Sequence, residues 1–109
     1  MTTLLPTATR MRLCLEDILR DRVPLFDGLD ALLRLAEAAP ERAEDRDLRR
    51  VAEIVAQAEH LPVGAARARW SAAVLARHDA ELMEIERRNR EAAHYCCRRL
   101  LETLDGPAA

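Results

Sequence analysis

Residues 65–104, AARARWSAAVLARHDAELMEIERRNREAAHYCCRRLLETL, run without a proline or a glycine in a chain of 109 residues. Read as one helix, this stretch reaches ~60 Å at 1.5 Å per residue. A compact chain of this size has a radius of gyration of only about 13 Å. The helix must therefore project from the rest or be flanked lengthwise by other helices. Half of the residues are apolar, yet only Phe26, Trp70 and Tyr95 are aromatic, and three glycines leave little material for tight turns. With alanine and leucine dominant and β-branched residues few, the class is all-α. The expected architecture is an elongated antiparallel three-helix bundle with a long C-terminal helix, one helical domain over residues 1–109.

Outward from the long run, Pro24, Pro40 and the triplet Pro62-Val63-Gly64 punctuate the pattern. A first helical segment is predicted over 7–39, capped by Thr7 or Thr9. Its apolar face reads Met11, Cys14, Leu15, Ile18 and Leu19, then Phe26, Leu29, Leu32, Leu33 and Ala36. Pro24 lacks an amide donor and either kinks this segment or breaks it in two. A shorter helix is predicted over 41–61, with Asp45 or Asp47 near its start and Leu48, Val51, Val55 and Ala58 on one side. The long helix, 65–104, ends at Asp105-Gly106-Pro107, where glycine takes a left-handed cap and proline bars continuation.

The charge of −2 and a pI near 5.9 argue against a nucleic-acid protein, which presents a basic stripe. All seventeen basic residues are arginines. They interleave with acids, as in Glu84-Ile85-Glu86-Arg87-Arg88, the pattern of a solvated helix face. Arg10, Arg12, Glu16 and Asp17 leave no signal-peptide core near the start, and no apolar stretch approaches a membrane span. Cys14, Cys96 and Cys97 are odd in number, and reduced thiols in a cytoplasmic protein are the expectation.

From Leu75 the long helix carries Leu75, His78, Leu82, Ile85, Asn89, Ala92 and Cys96 at alternating spacings of three and four, the seam of helix-on-helix packing. An asparagine on such a seam fixes register, because only one alignment completes its hydrogen bonds. Small residues follow, Ala93, Cys96 and Cys97, interspersed with Leu100, Leu101 and Leu104. The two preceding helices look too small to cover a rod of this length. An unfilled apolar groove is therefore expected, a seat for an amphipathic helix from a partner or from a second copy.

The C-terminal third, Trp70 to Gly106, resembles the C-terminal helix of FlgN-type flagellar export chaperones. In that family a tryptophan or similar residue opens a long helix. A Leu-Asn-x-x-Asn turn follows, and then a run to leucine-glycine. This chain has Trp70, Ile85-Glu86-Arg87-Arg88-Asn89 and Leu104-Asp105-Gly106, with Glu86 at the first asparagine position and Arg90 where a small residue is common. The resemblance implies a cytoplasmic chaperone that holds the amphipathic C-terminal helix of hook–filament junction subunits for secretion. Leu82, Ile85, Asn89, Ala92 and Cys96 are then the expected groove or its floor, with Arg88 and Arg99 at the rim. A charge at Ile85 is expected to abolish partner binding and leave helicity intact.

Three other chemistries leave weaker marks. Glu91-Ala92-Ala93-His94 has the Glu-x-x-His spacing of di-iron helices, and Cys97 lies one turn beyond His94, but a di-iron site needs two such motifs and further glutamates. His60-Leu61-Pro62-Val63-Gly64 keeps the glycine of a histidine phosphotransfer signature but has valine for its lysine and a helix-breaking proline. No phosphate loop, nucleophile elbow or paired-cysteine motif occurs, so neither an enzyme nor a resident cofactor is expected. The main alternative is a homodimeric coiled-coil adaptor whose seam pairs with itself.

Overall fold

The computed structural model describes residues 5–62 and 64–105. Its α-helices are α1 (Thr7–Leu19), α2 (Leu25–Ala36), α3 (Arg46–Ala56) and α4 (Ala72–Asp105), with 3₁₀ turns at Pro40–Arg42 and Gly64–Arg69. Among the described residues there is no strand, and no helix is long and apolar enough to cross a membrane. The chain is thus all-helical, as the composition requires. Among the described residues there are four α-helices, because the first segment, expected to be kinked or broken at Pro24, is broken in two.

The additional helix arises from a break ahead of Pro24. The left-handed turn is taken by Asp21, at φ 55°, a conformation that aspartate tolerates better than most side chains. The Arg22 amide donates to the Asp17 carbonyl at 2.9 Å and the Asp21 amide to Ile18 at 3.2 Å, which closes α1 in a Schellman motif. Pro24 then occupies the N-cap of α2 with φ −56° and ψ 140°. Pro6 holds the same place before α1, and neither expected threonine cap forms a hydrogen bond there.

α3 starts where Asp45 accepts from the amides of Asp47 at 2.8 Å and Leu48 at 3.2 Å, so Asp45 is the cap. The helix covers 46–56, shorter than the expected 41–61, because the Pro40–Arg42 turn precedes it and Gln57–His60 leave it in turns. α4 begins at Ala72, not at residue 65. Ser71, the single serine of the chain, accepts from the Val74 amide at 3.3 Å and caps it. Before it, Arg67 lays a two-pronged ion pair on Asp79 at 2.5 and 2.9 Å, holding the 3₁₀ turn against the first turns of α4. Ser71→Ala is expected to cost about 1 kcal/mol. Hydrogen exchange should show the loss as fraying confined to the first turns of α4. The terminator Gly106-Pro107 and the loop residue Val63 lie outside the described residues.

At 34 residues α4 is about 51 Å long, and it sets the 52 Å dimension of a body measuring 52 × 38 × 24 Å. The radius of gyration, 15.0 Å, reflects this elongation. Pairings along α4 fix the directions of its neighbours. Arg42 reaches Thr103, Asp47 meets Arg99, Gln57 meets Asn89 and His60 meets Glu81, so α3 runs antiparallel to α4. Asp21 meets Arg90, and Cys14, seven residues before Asp21, lies within electrostatic reach of Cys97, seven residues after Arg90, so α1 also runs antiparallel to α4. α2 packs between α1 and α3. The core is a single cluster in which Leu15, Leu29, Leu32, Val51, Ile54, Cys97 and Leu100 are fully buried. Each large aliphatic side chain there contributes roughly 1.5–3 kcal/mol.

Candidate functional site

The seam of α4 faces this core. Ile85 is 4% exposed, Asn89 7% and Cys96 4%; Leu82 and Ala92 are half-buried. These five residues do share one face, but that face is covered by α1 and α3 of the same chain. The floor of the predicted groove is therefore the interior of the bundle. Toward the N-terminal end of the seam Leu75 and His78 are half-buried, and Trp70 stands edge-on to the His78 ring at 5.1 Å.

Asn89 fixes register as an asparagine on a seam should. Its Nδ2 donates to Gln57 Oε1 at 2.8 Å, and Gln57 Nε2 returns a bond to Asn89 Oδ1 at 3.3 Å. A second Asn89 donation reaches the Ile85 carbonyl at 2.8 Å. The chain contains one asparagine and one glutamine, and they pair with each other. This amide pair aligns α3 with α4, so the register it sets lies within the chain.

Of the two expected rim arginines, Arg88 is exposed. Arg99 is held across α3 and α4 by Asp47 at 3.2 Å and by the Tyr95 hydroxyl at 3.3 Å, with its guanidinium 5.6 Å from the Tyr95 ring centre. The Asp47 hydrogen bond, followed by that to Tyr95, raises its pKa further. Glu91 is exposed and Cys97 wholly buried, and among the described residues no three His, Cys, Asp or Glu side chains are placed to hold a metal. The thiols are poor nucleophiles. Burial pushes Cys97 up to about 12 and Cys14 to about 11, the latter helped by the charge of Asp17.

His94 sits beside the α1–α4 contact, with no hydrogen-bond partner for its buried Nε2 among the described residues. Burial and then the Arg90 charge lower its pKa, against an opposing pull from Asp21. A histidine held below its unfolded value of about 6.5 binds its proton more readily after unfolding. Stability is therefore expected to be full above that value and to fall as the pH drops from it through the lower, folded pKa. Urea midpoints at pH 7.5 and 5.5 measure the fall, and His94→Gln should reduce it.

The open apolar surface lies elsewhere, in a groove of about 780 Å³ between α1 and α2. Leu5, Leu13, Cys14, Val23, Gly28, Ala31, Leu35 and Ala38 line it, together with Arg10, Asp17, Asp27 and Arg34. Leu13 is 49% exposed and Leu5 52%. Gly28 makes the groove floor shallow: Cys14 Sγ lies 3.5 Å from its carbonyl oxygen, and α1 approaches α2 at this point more closely than a side chain would allow. The sequence carried one sign of this surface. Leu13 and Leu35 fall off the core stripes of their helices, and two such residues on consecutive antiparallel helices leave a second stripe facing outward. Comparison with family models, with curated proteins and with solved structures finds no match to this chain.

Proposed function

We propose that the chain binds an amphipathic helix of a partner protein in the α1–α2 groove, as an export chaperone of the flagellar type. The groove itself carries the proposal: a channel of about 780 Å³ between two antiparallel helices, lined mainly by apolar side chains together with Arg10, Asp17, Asp27 and Arg34. An amphipathic helix fills such a channel with anchors at i, i+3, i+4 and i+7 while its polar face stays wet. The C-terminal resemblance to FlgN-type chaperones supports the partner class, the C-terminal helix of a hook–filament junction subunit, held in the cytoplasm until export. The partner-binding role expected of Leu82, Ile85, Asn89, Ala92, Cys96, Arg88 and Arg99 becomes indirect. The buried members belong to the interior on which α1 and α3 pack, and α1 in turn presents the groove.

Light scattering coupled to size exclusion, on the protein alone and with the C-terminal segment of a junction subunit from the same organism, tests this proposal. A one-to-one complex is expected. Leu13→Glu should keep full helicity and weaken the complex at least about tenfold, because the docked helix would cover an unpaired carboxylate. Alkylation of Cys14 should slow on binding. A tight dimer indifferent to the peptide would overturn the proposal in favour of a self-paired adaptor.

A further inference from the structure

The charges lining the α1–α2 groove are not scattered. Arg22 lies in the turn between the two helices. Counted from it, Asp17 and Asp27 are each five residues away, on α1 and α2 respectively, and Arg10 and Arg34 are each twelve away. The two helices fold back on each other at this turn, with Gly28 seated against Ile18 and Val23. Both carboxylates therefore mark the turn end of the groove, and both guanidiniums mark its far end. The two pairs are separated by seven residues on each helix, roughly 10 Å along the channel. All four side chains line the groove.

Competing contacts are weak. Arg34 pairs with Asp30 at 3.0 Å and is 77% exposed; Arg22 pairs with Asp17 at 3.5 Å and is 58% exposed. Exposed pairs of this kind hold their partners loosely. Arg67 lies within electrostatic reach of Asp27 but is committed to Asp79.

From this arrangement we infer that the groove reads the charge polarity of its ligand. It takes an amphipathic helix that is basic over its N-terminal turn and acidic at its C-terminal end, docked with its N-terminus at the α1–α2 turn. The helix dipole adds to the same preference: the positive N-terminal end lies beside Asp17 and Asp27, and the negative C-terminal end, with any terminal carboxylate, lies beside Arg10 and Arg34. This inference rests on the proposal that the groove binds a helix.

The test uses two synthetic peptides of about fifteen residues with one shared apolar face. One bears lysines in its first turn and glutamates in its last; the other has glutamine at all those positions. Fluorescence anisotropy at low salt should show the charged peptide binding about fivefold tighter. The advantage should vanish in 0.5 M salt and in the Arg10→Glu, Arg34→Glu double variant. A nitroxide on its N-terminal residue should broaden the amide resonances of Val23 and Gly28 before those of Arg10 and Ala38. Equal affinity of the two peptides, or broadening at the Arg10 end first, overturns the polarity while leaving helix binding in place. Binding of neither peptide overturns both.

Discussion

Ile85→Asp is expected to abolish the cooperative fold, with circular dichroism at 222 nm collapsing along with any partner binding. Ile85 is 4% exposed and belongs to the single core cluster. Truncating such a side chain alone costs about 2–5 kcal/mol, and a carboxylate in its place must either be desolvated or take up a proton. A chain of this length has about 5–15 kcal/mol in total to lose. The new carboxylate would also compete for the Asn89 amide, which donates to the Ile85 carbonyl at 2.8 Å, so the α3–α4 register would be disturbed as well. The sequence alone predicted the opposite separation, binding lost and helicity kept. That outcome is now expected of Leu13→Glu, whose site is 49% exposed. Measuring both variants by chemical denaturation and by peptide binding separates core from groove. A folded Ile85→Asp protein would place the seam of α4 at the surface.

Gly28→Ala is expected to destabilise the protein by about 2 kcal/mol, although the same change in an exposed helix interior usually stabilises by roughly 0.5–1 kcal/mol. The reversal of sign is steric. A Cβ at this position would lie 2.6 Å from Ile18 Cγ1 and 2.9 Å from Val23 Cγ2. Both neighbours are β-branched and stiff at χ1, and Ile18 is 1% exposed, so neither can swing aside cheaply. Overpacking of this kind costs about 1–3 kcal/mol. Prising α1 from α2 would also widen the groove floor, so partner affinity should fall further than stability. Urea denaturation gives the first quantity and anisotropy the second. A Gly28→Ala protein more stable than its parent would show that the helices do not meet as closely as described.

Much of the secondary structure was legible because it rests on local rules. Asp45 or Asp47 was expected near the start of α3, and Asp45 caps it; the stripes Met11, Leu15, Ile18 and Leu29, Leu32 were read correctly as core faces. Two of the boundaries misplaced along the chain share one cause. At Asp21 a left-handed turn is taken by aspartate, so no glycine advertised it. At Ser71 a lone serine among alanines was taken for a helix residue when it was a cap. In both cases one polar side chain ended or began a helix that composition alone would have continued.

The location of the open surface was of another kind. A heptad seam states that a face will be covered, and it is silent on whether the cover comes from the same chain or from another. Once α1 and α2 separate at Asp21–Pro24 and fold back as a hairpin, the helices laid on α4 are α1 and α3, with α2 packed between them, and most of its seam is covered. The same folding-back leaves Leu13 exposed and Leu35 only partly packed against the core, and it brings Arg10 to the end of the channel that holds Arg34. The sequence by itself determined that this protein is helical and elongated and where its apolar stripes lie, because helix propensity and periodicity act within a few residues. Only the tertiary structure decided which stripe is core and which is groove, because burial is a competition among helices for a limited number of neighbours.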